Sequence, residues 1–217
     1  MDLVYFTSDR EYSKGDKVVW ICHALTANSD PEDWWADMVG PGKAFDTEKY
    51  FVICANNLGS PYGTTGPASV NPVTGRLYML DFPKYTVRDI VKFHIELSNY
   101  LGIGTIDYMV GSSIGGFQAV EWAIIEPERV KHLFLIATSC RATPYLTAYN
   151  ESQRMAIDAD VTFREAADLS GGDAGMRCAR SIALISYRSK RGYDLTQSEA
   201  DEDTIFADRA ASYQRYQ

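Results

Sequence analysis

The sequence predicts an α/β fold in which a mostly parallel β-sheet carries helices on both faces. Short runs of β-branched and aromatic residues alternate along the chain with amphipathic segments, as in a parallel sheet wrapped by helices. Several of these runs are apolar at nearly every position, which is typical of strands that are covered on both sides. The 217 residues, 46% of them hydrophobic, are enough for one such domain with a full core.

Four buried strands and one edge strand are expected. The apolar runs at residues 17–22, 50–54, 106–110 and 132–136 have the length and composition of parallel strands. Residues 2–7 have the same character in weaker form and are expected at an edge of the sheet. No internal repeat is visible in the sequence.

Two helices are expected between the strands. Thr86 is placed to cap the first one, whose apolar positions continue at helical spacing from Val87 to Leu101, and Gly102 closes it. The second runs from residue 114 to about residue 125 and stops near Pro127, because proline disfavours helix at the residue before it.

The residue composition of the sequence changes after Arg141. Strand-like runs give way to helix-forming and charged residues, so we expect residues 1–141 to form a partial α/β core and residues 142–217 an incomplete helical cap. The predicted cap helices are residues 151–156, 163–169, 174–187 and 199–216.

Composition narrows the function classes. A net charge of −8 and a pI near 4.9 argue against a nucleic-acid or anionic-membrane partner and favour a small molecule. Neither a signal peptide nor an apolar run of membrane-spanning length is visible, so we expect a soluble, cytoplasmic protein. No metal is expected, since no residues have metal-ligand spacing. The four cysteines, expected to be buried, reduced thiols, are Cys22, Cys54, Cys140 and Cys178.

The segment from Gly111 to Gly115 carries the clearest chemical signal. It has the pattern Gly-x-Ser-x-Gly directly after a predicted strand and before a predicted helix. This is the nucleophile-elbow motif, in which small neighbours let a serine hydroxyl stand at a sharp turn. Ser113 is therefore the candidate nucleophile, and the backbone N–H groups of Leu25 and Ile114 are the candidate oxyanion donors.

A base for this serine is harder to find. His132 opens a strand at the edge of the sheet opposite the elbow, and His94 lies on the inward face of the helix that begins after Thr86. His23 is nearer to the site, but a histidine there more often fixes the loop than removes a proton. All three are interpreted as structural residues, which leaves a nucleophile without a base.

Several segments together resemble the homoserine O-acetyltransferase family, which has the α/β-hydrolase fold. Any one of them is weak evidence, but they occur in order across nearly the whole chain. The matching segments are residues 23–28, 40–47, 50–54, 63–67, 71–75 and 111–122.

The resemblance implies a ping-pong reaction with acetyl-CoA and L-homoserine as substrates and no bound cofactor. Ser113 matches the nucleophile that accepts the acetyl group, and Arg180 and Tyr187 match residues that bind the acceptor's carboxylate. Members of the family are longer and carry their catalytic aspartate and histidine in strands after the cap. The resemblance thus implies that this chain is a fragment or degenerate copy that is nearly inactive alone.

Alternatives remain open at this point. A serine esterase or thioesterase of the same fold would pass the acyl group to water, and a non-catalytic pseudoenzyme would use its cap only for protein contacts. Relatives with the same elbow use succinyl-CoA, so the acyl donor is also undecided. The resemblance implies a homodimer through the cap helices, with an apolar surface formed by Ile182, Leu184, Ile185, Phe206, Tyr213 and Tyr216.

Overall fold

The computed structural model describes residues 1–166, 168–199 and 208–216. The chain divides into two compact units, Met1–Arg141 and Ala142–Gln217. The first unit contains a β-sheet with helices, and the described residues of the second unit form helices and their connections.

The sheet of the first unit has five strands in the order β1-β3-β2-β4-β5. All neighbouring strands run parallel except β1, which pairs antiparallel with β3 at one edge. The predicted α/β fold class is confirmed. The strands are Tyr5–Thr7 (β1), Val18–Cys22 (β2), Phe51–Ala55 (β3), Ile106–Ser112 (β4) and Val130–Ile136 (β5).

The central strands are buried on both faces, as their uninterrupted apolar sequences predict. In β2, Val18 and Trp20 join one core cluster, whereas Val19 and Ile21 join the cluster on the opposite face. This division follows from the two-residue period of a strand, which sends successive side chains to opposite sides. Trp122 of the first cluster packs edge-on against Trp20 with ring centroids 4.8 Å apart.

The burial predicted for strand β5 is not observed. Its apolar residues Leu133 to Ile136 are each 40–49% exposed. The physical reason is position: β5 is the last strand of the sheet and has β4 as its one neighbour among the described residues. An apolar sequence therefore predicted the strand correctly but not its burial. The burial expected of the cysteines is confirmed for Cys22 and Cys54 but is wrong for Cys140 and Cys178, which are exposed.

Three helices belong to the first unit: α1 (Pro31–Trp34), α2 (Val87–Tyr100) and α3 (Ile114–Ile125). The predicted cap of α2 is confirmed, because the Thr86 side chain accepts from Asp89 N–H and the Asp89 carboxylate accepts from Thr86 N–H. Gly102 follows the helix with φ +74°, a left-handed conformation that suits glycine.

The described residues of the second unit form α4 (Pro144–Asp158), α5 (Val161–Arg164), α6 (Asp173–Ser186), α7 (Lys190–Gln197) and α8 (Asp208–Arg215). The prediction for α6 was close, whereas the prediction for α4 began seven residues too late.

The start of α4, the bounds of α5 and the short α7 were the main errors. The helix predicted at residues 163–169 is α5, which spans only Val161–Arg164. Thr143 caps α4 and accepts from Leu146 N–H, and proline occupies the first helical position, which it tolerates because its missing N–H would be unpaired there. Helix α7 was not predicted. The predicted helix 199–216 falls partly outside the described residues, and its described part ends with α8.

Candidate active site

Ser113 stands at the junction between β4 and α3. Strand β4 ends at Ser112, α3 begins at Ile114, and Ser113 between them has φ +53° and ψ −118°. A non-glycine residue with this backbone costs on the order of 1–3 kcal/mol, which the surrounding structure must offset. The residue is exposed, and its hydroxyl makes no hydrogen bond to the described part of the chain. The elbow predicted from the sequence is therefore present.

Three glycines make this turn sterically possible. A Cβ at Gly111 would lie 2.7 Å from Gly116 Cα, and one at Gly115 would lie 2.8 Å from the His23 carbonyl oxygen. A Cβ at Gly116 would lie 2.5 Å from Thr138 Cβ. Real Cβ atoms do not approach so closely, so each position excludes larger residues. The motif had predicted Gly111 and Gly115 but not Gly116.

The backbone of Ser113 is held from both sides. Its N–H donates to the Ile136 carbonyl at 3.1 Å, and its carbonyl accepts from Thr138 Oγ1 at 2.8 Å. Gly116 N–H donates to the same carbonyl at 3.0 Å. The contact from Thr138 was missed, because nothing local in the sequence links the loop after β5 to a serine 25 residues earlier.

Both candidate oxyanion donors are available. The N–H groups of Leu25 and Ile114 have no acceptor among the described residues. The loop that carries Leu25 also touches the elbow, since the carbonyl groups of Cys22 and His23 lie against Gly115. The loop after β2 and the first turn of α3 therefore meet beside Ser113, which is the arrangement an oxyanion site needs.

His23 fixes this loop, as the sequence suggested. It is 1% exposed, its Nδ1 lies 2.7 Å from the Ala24 carbonyl oxygen, and its Nε2 accepts from Asn57 N–H at 3.2 Å. Burial lowers the pKa of His23 and thus favours the neutral ring. With both nitrogens engaged, this histidine is not placed to act as a base.

The other two histidines are also structural. His94 is fully buried on α2 with Nε2 3.0 Å from the Asn56 carbonyl oxygen, and burial lowers its pKa to about 4. His132 pairs in register with Tyr108, whereas Ser112 pairs with Ile136 at the other end of the same two strands. These positions agree with the interpretation of His94 and His132 as structural residues, which stays a prediction.

Gln118 and Asn57 form a buried contact that sequence analysis did not identify. Gln118 Nε2 donates to Asn57 Oδ1 at 2.8 Å, and Gln118 is fully buried. A signal existed in the sequence, since Gln118 shares the inward face of α3 with Gly115 and Trp122 at spacings of three and four residues. A polar residue on such a face requires a partner.

The residues predicted for carboxylate binding lie in the second unit. Arg180 is exposed on α6, and Tyr187, 74% exposed, is the residue that ends this helix. Ser113, Leu25 and Ile114 lie in the first unit. Among the described residues, no three His, Cys, Asp or Glu side chains could together hold a metal ion. Nor does the described part of the chain contain a helix that is both long and apolar enough to span a membrane.

Known proteins with similar sequences are homoserine O-acetyltransferases. One from Cyclobacterium marinum is 38% identical over 215 residues, which are 99% of this chain and 61% of that protein. One from Deferribacter desulfuricans is 44% identical over 204 residues, covering 88% of this chain and 54% of that protein. The chain thus spans somewhat more than half the length of these curated relatives.

Similar solved structures include a transferase and an esterase. The homoserine O-acetyltransferase from Bacillus anthracis matches with a TM-score of 0.84 and 26% identity, over 99% of this chain and 65% of that one. Esterase E22 matches with a TM-score of 0.82 and 25% identity, over 98% of this chain and 65% of that one. The family model for the alpha/beta hydrolase fold matches residues 17–216. The match covers nearly the whole chain, and the elbow and the sheet order agree with it. The chain therefore belongs to the alpha/beta hydrolase fold family.

Proposed function

We propose that the chain belongs to an acyltransferase that moves an acetyl group from acetyl-CoA to the hydroxyl of L-homoserine, with Ser113 as nucleophile. The observation that carries the proposal is the strained, exposed Ser113 together with two nearby backbone N–H groups that have no acceptor in the described part of the chain. The names of the sequence relatives supply the substrates. An acyl-enzyme mechanism suits this geometry, because it divides one difficult transfer into two easier steps.

In the first step, Ser113 Oγ attacks the thioester carbonyl carbon, and the carbonyl oxygen becomes an oxyanion that accepts hydrogen bonds from Leu25 and Ile114 N–H. The carbon–sulfur bond then breaks, and coenzyme A leaves as its thiol with the proton released by the serine. In the second step, the homoserine hydroxyl attacks the acetyl-serine ester, O-acetylhomoserine leaves, and Ser113 regains a proton.

The serine proton needs a base in this mechanism. None of the three histidines in the sequence is free to take that role, since His23 and His94 are hydrogen-bonded in the core and His132 lies at the far end of its strand. We therefore expect residues 1–217 alone to acetylate slowly. Added imidazole, a diffusible base, is expected to accelerate the reaction.

Arg180 and Tyr187 are proposed to bind the carboxylate of the acceptor. They are seven residues apart, which places them on one side of α6 about two turns from each other. A guanidinium group forms strong, charge-assisted hydrogen bonds with a carboxylate. Water has no carboxylate, so this pair would favour homoserine over water.

The proposal is tested by acetylation of the peptide containing Ser113. Protein incubated with acetyl-CoA and imidazole is expected to gain one acetyl group on residues 111–122, and Ser113→Ala is expected to gain none there. L-Homoserine should then remove the group. Arg180→Ala should leave acetylation intact but slow removal by homoserine about ten- to a hundredfold, the loss of one hydrogen bond to a charged group. Arg191→Ala, which removes an equal charge from α7, is the matched control.

A serine esterase is the second candidate, because a solved esterase has nearly the same structural similarity as the transferase. The same experiment separates the two functions. Removal of the acetyl group by water as fast as by homoserine would favour the esterase. Homoserine-dependent removal that is unchanged by Arg180→Ala would contradict the proposed carboxylate site.

A further inference from the structure

A continuous chain of hydrogen bonds links α3 to the loop after β2. Gln118 Nε2 donates to Asn57 Oδ1 at 2.8 Å, and Asn57 N–H donates to His23 Nε2 at 3.2 Å. His23 Nδ1 lies 2.7 Å from the carbonyl oxygen of Ala24, the residue before Leu25. We call this chain of bonds the Gln118–Asn57–His23 relay. Its two ends lie on the segments that supply the proposed oxyanion donors.

The relay fixes the protonation state of its histidine. Because a backbone N–H can only donate, Nε2 of His23 must be the acceptor from Asn57. The ring proton therefore lies on Nδ1 and is donated to the Ala24 carbonyl. Each bond in the relay then has one donor and one acceptor, and the loop's orientation depends on all of them.

Gln118 is an unusual residue for its position. Its neighbours on the inward face of α3, Ala119 and Trp122, are fully buried, and an apolar residue would suit the position for packing alone. The Gln118 Oε1 atom is buried without a hydrogen-bond partner among the described residues. Burying an unpaired polar atom is unfavourable, so packing does not account for the amide. Among the described residues, the one hydrogen bond of the Gln118 side chain is the bond to Asn57.

The relay gives the loop a second attachment to α3. The first is the contact of Gly115 with the carbonyl groups of Cys22 and His23, at the first turn of the helix. Gln118 lies one turn further along the same helix. Two attachments restrict the orientation of the loop relative to α3 more than one attachment does.

We propose that Gln118 is a positioning residue for acyl transfer, which through Asn57 and His23 holds Leu25 N–H in place relative to Ile114 N–H. This inference rests on the proposed function, because it assigns these two groups to the oxyanion site. Misplacing one donor weakens stabilisation of the transition state while substrate binding changes little.

The test breaks the Gln118–Asn57 bond from each side. Gln118→Met keeps the volume but removes the amide, and Asn57→Ala keeps the backbone N–H that serves His23. Asn57→Asp keeps an acceptor for the Gln118 amide and is the conservative variant. Ser98→Ala removes another fully buried side chain, one that accepts from Arg129, and is the control for lost stability.

Two measurements are made on the full chain. The first is the rate of Ser113 acetylation by p-nitrophenyl acetate with imidazole, followed by peptide mass. Gln118→Met and Asn57→Ala are each expected to slow the limiting rate about ten- to a hundredfold at unchanged half-saturation, as for a misplaced oxyanion group. The double variant should be no slower than the slower single variant, and Asn57→Asp should stay close to wild type.

The second measurement is amide hydrogen exchange at Asn57, together with the ¹⁵N signals of the His23 ring. Both should change in Gln118→Met and not in Ser98→Ala. Absence of acetylation in the wild type would contradict the proposed function, and the positioning role would then be decided by exchange alone. Unchanged exchange, or acetylation slowed equally by Ser98→Ala, would overturn the positioning role.

Discussion

Gly115 leaves no room for a side chain, because the loop after β2 packs directly on its Cα. The atoms that a methyl group would meet are backbone carbonyl groups of Cys22 and His23, which cannot move aside without displacing β2. The oxyanion loop and the elbow are thus in contact through this residue. The absence of a side chain at Gly115 is therefore needed both for the stability of the fold and for the geometry of the candidate site.

Gly115→Ala is expected to lower the free energy of unfolding by about 2 kcal/mol or more, in line with overpacking of a tight core. Urea denaturation measures this loss. Gly104→Ala is the matched control, because a Cβ there would meet no atom within 4 Å. That variant should keep or slightly raise the stability, since alanine reduces the freedom of the unfolded chain. Equal stability of both variants would contradict the packing at Gly115.

His94 is expected to make stability depend on pH. Burial lowers its folded pKa to about 4, against about 6.5 in an unfolded chain. Between these values the unfolded state binds more protons, so stability is full above about pH 6.5 and falls as the pH decreases toward 4. The slope attributable to His94 is up to about 1.4 kcal/mol per pH unit.

Proton NMR of the His94 ring checks this directly. The ring should remain neutral at pH 5.5, and a midpoint near 6.5 would contradict the assignment. Burial also lowers the pKa of His23, so the two rings act in the same direction.

Sequence could predict those site residues whose role depends on local geometry. Ser113 and its flanking glycines follow from the spacing of the elbow, and Ile114 follows from its place at the helix start. Thr138 and Asn57, and the partner of Gln118, could not be assigned, because these contacts join residues 25 to 61 positions apart. Such contacts are determined by the fold and cannot be recognised in the local sequence pattern.

Strands and helices were predicted best where burial selects the residues. Strands β2 to β4 carry strong apolar patterns because both of their faces are covered. Helix α2 carries one because a whole side of it packs on the core. The second unit was harder, because α4, α5 and α7 have no buried residue, so burial does not select apolar side chains in them. Strand β5 shows the converse case, an apolar sequence on an exposed edge.

The capping box of α2 is expected to contribute measurably to stability. Thr86→Ala removes the acceptor for Asp89 N–H and should lower the free energy of unfolding by about 1 kcal/mol, as for other N-cap threonines. Thr86→Ser retains the hydroxyl and is the control. Urea midpoints of the three proteins decide it, and equal midpoints would show that the cap does not stabilise α2.

At the scale of the whole first unit, sheet order explains why the site lies where it does. After β2 the chain moves to one side to form β3, and it later returns to the other side of β2 to form β4. Ligand sites in parallel sheets occur at such switch points, beyond the carboxyl ends of the strands. Cys22 pairs in register with Gly111, so the loops after β2 and β4 leave the sheet side by side. Local sequence does not determine this order, which depends on how the strands pair.

The apolar surface of the second unit bears on how the protein assembles. The second unit exposes large apolar side chains, and exposed apolar area of this kind is typical of interfaces. Ile185 is 50% exposed and Tyr216 is 89% exposed, whereas Ile182 and Leu184 are half-buried. Tyr213 is half-buried and accepts from Arg188, so it contributes less surface than its sequence suggested. Phe206 lies outside the described residues.

We expect a homodimer through residues after Arg141, with α6 at the interface, because burying Ile185 against a second copy would remove its apolar surface from water. Sedimentation at micromolar concentration should give twice the mass of one chain. Ile185→Glu should shift the protein toward monomer, since the new charge would be buried without a partner. Val73→Glu, at a residue 90% exposed in the first unit, should leave the dimer unchanged. A monomeric wild type, or a dimer that dissociates only with the change at Val73, would rule out this interface.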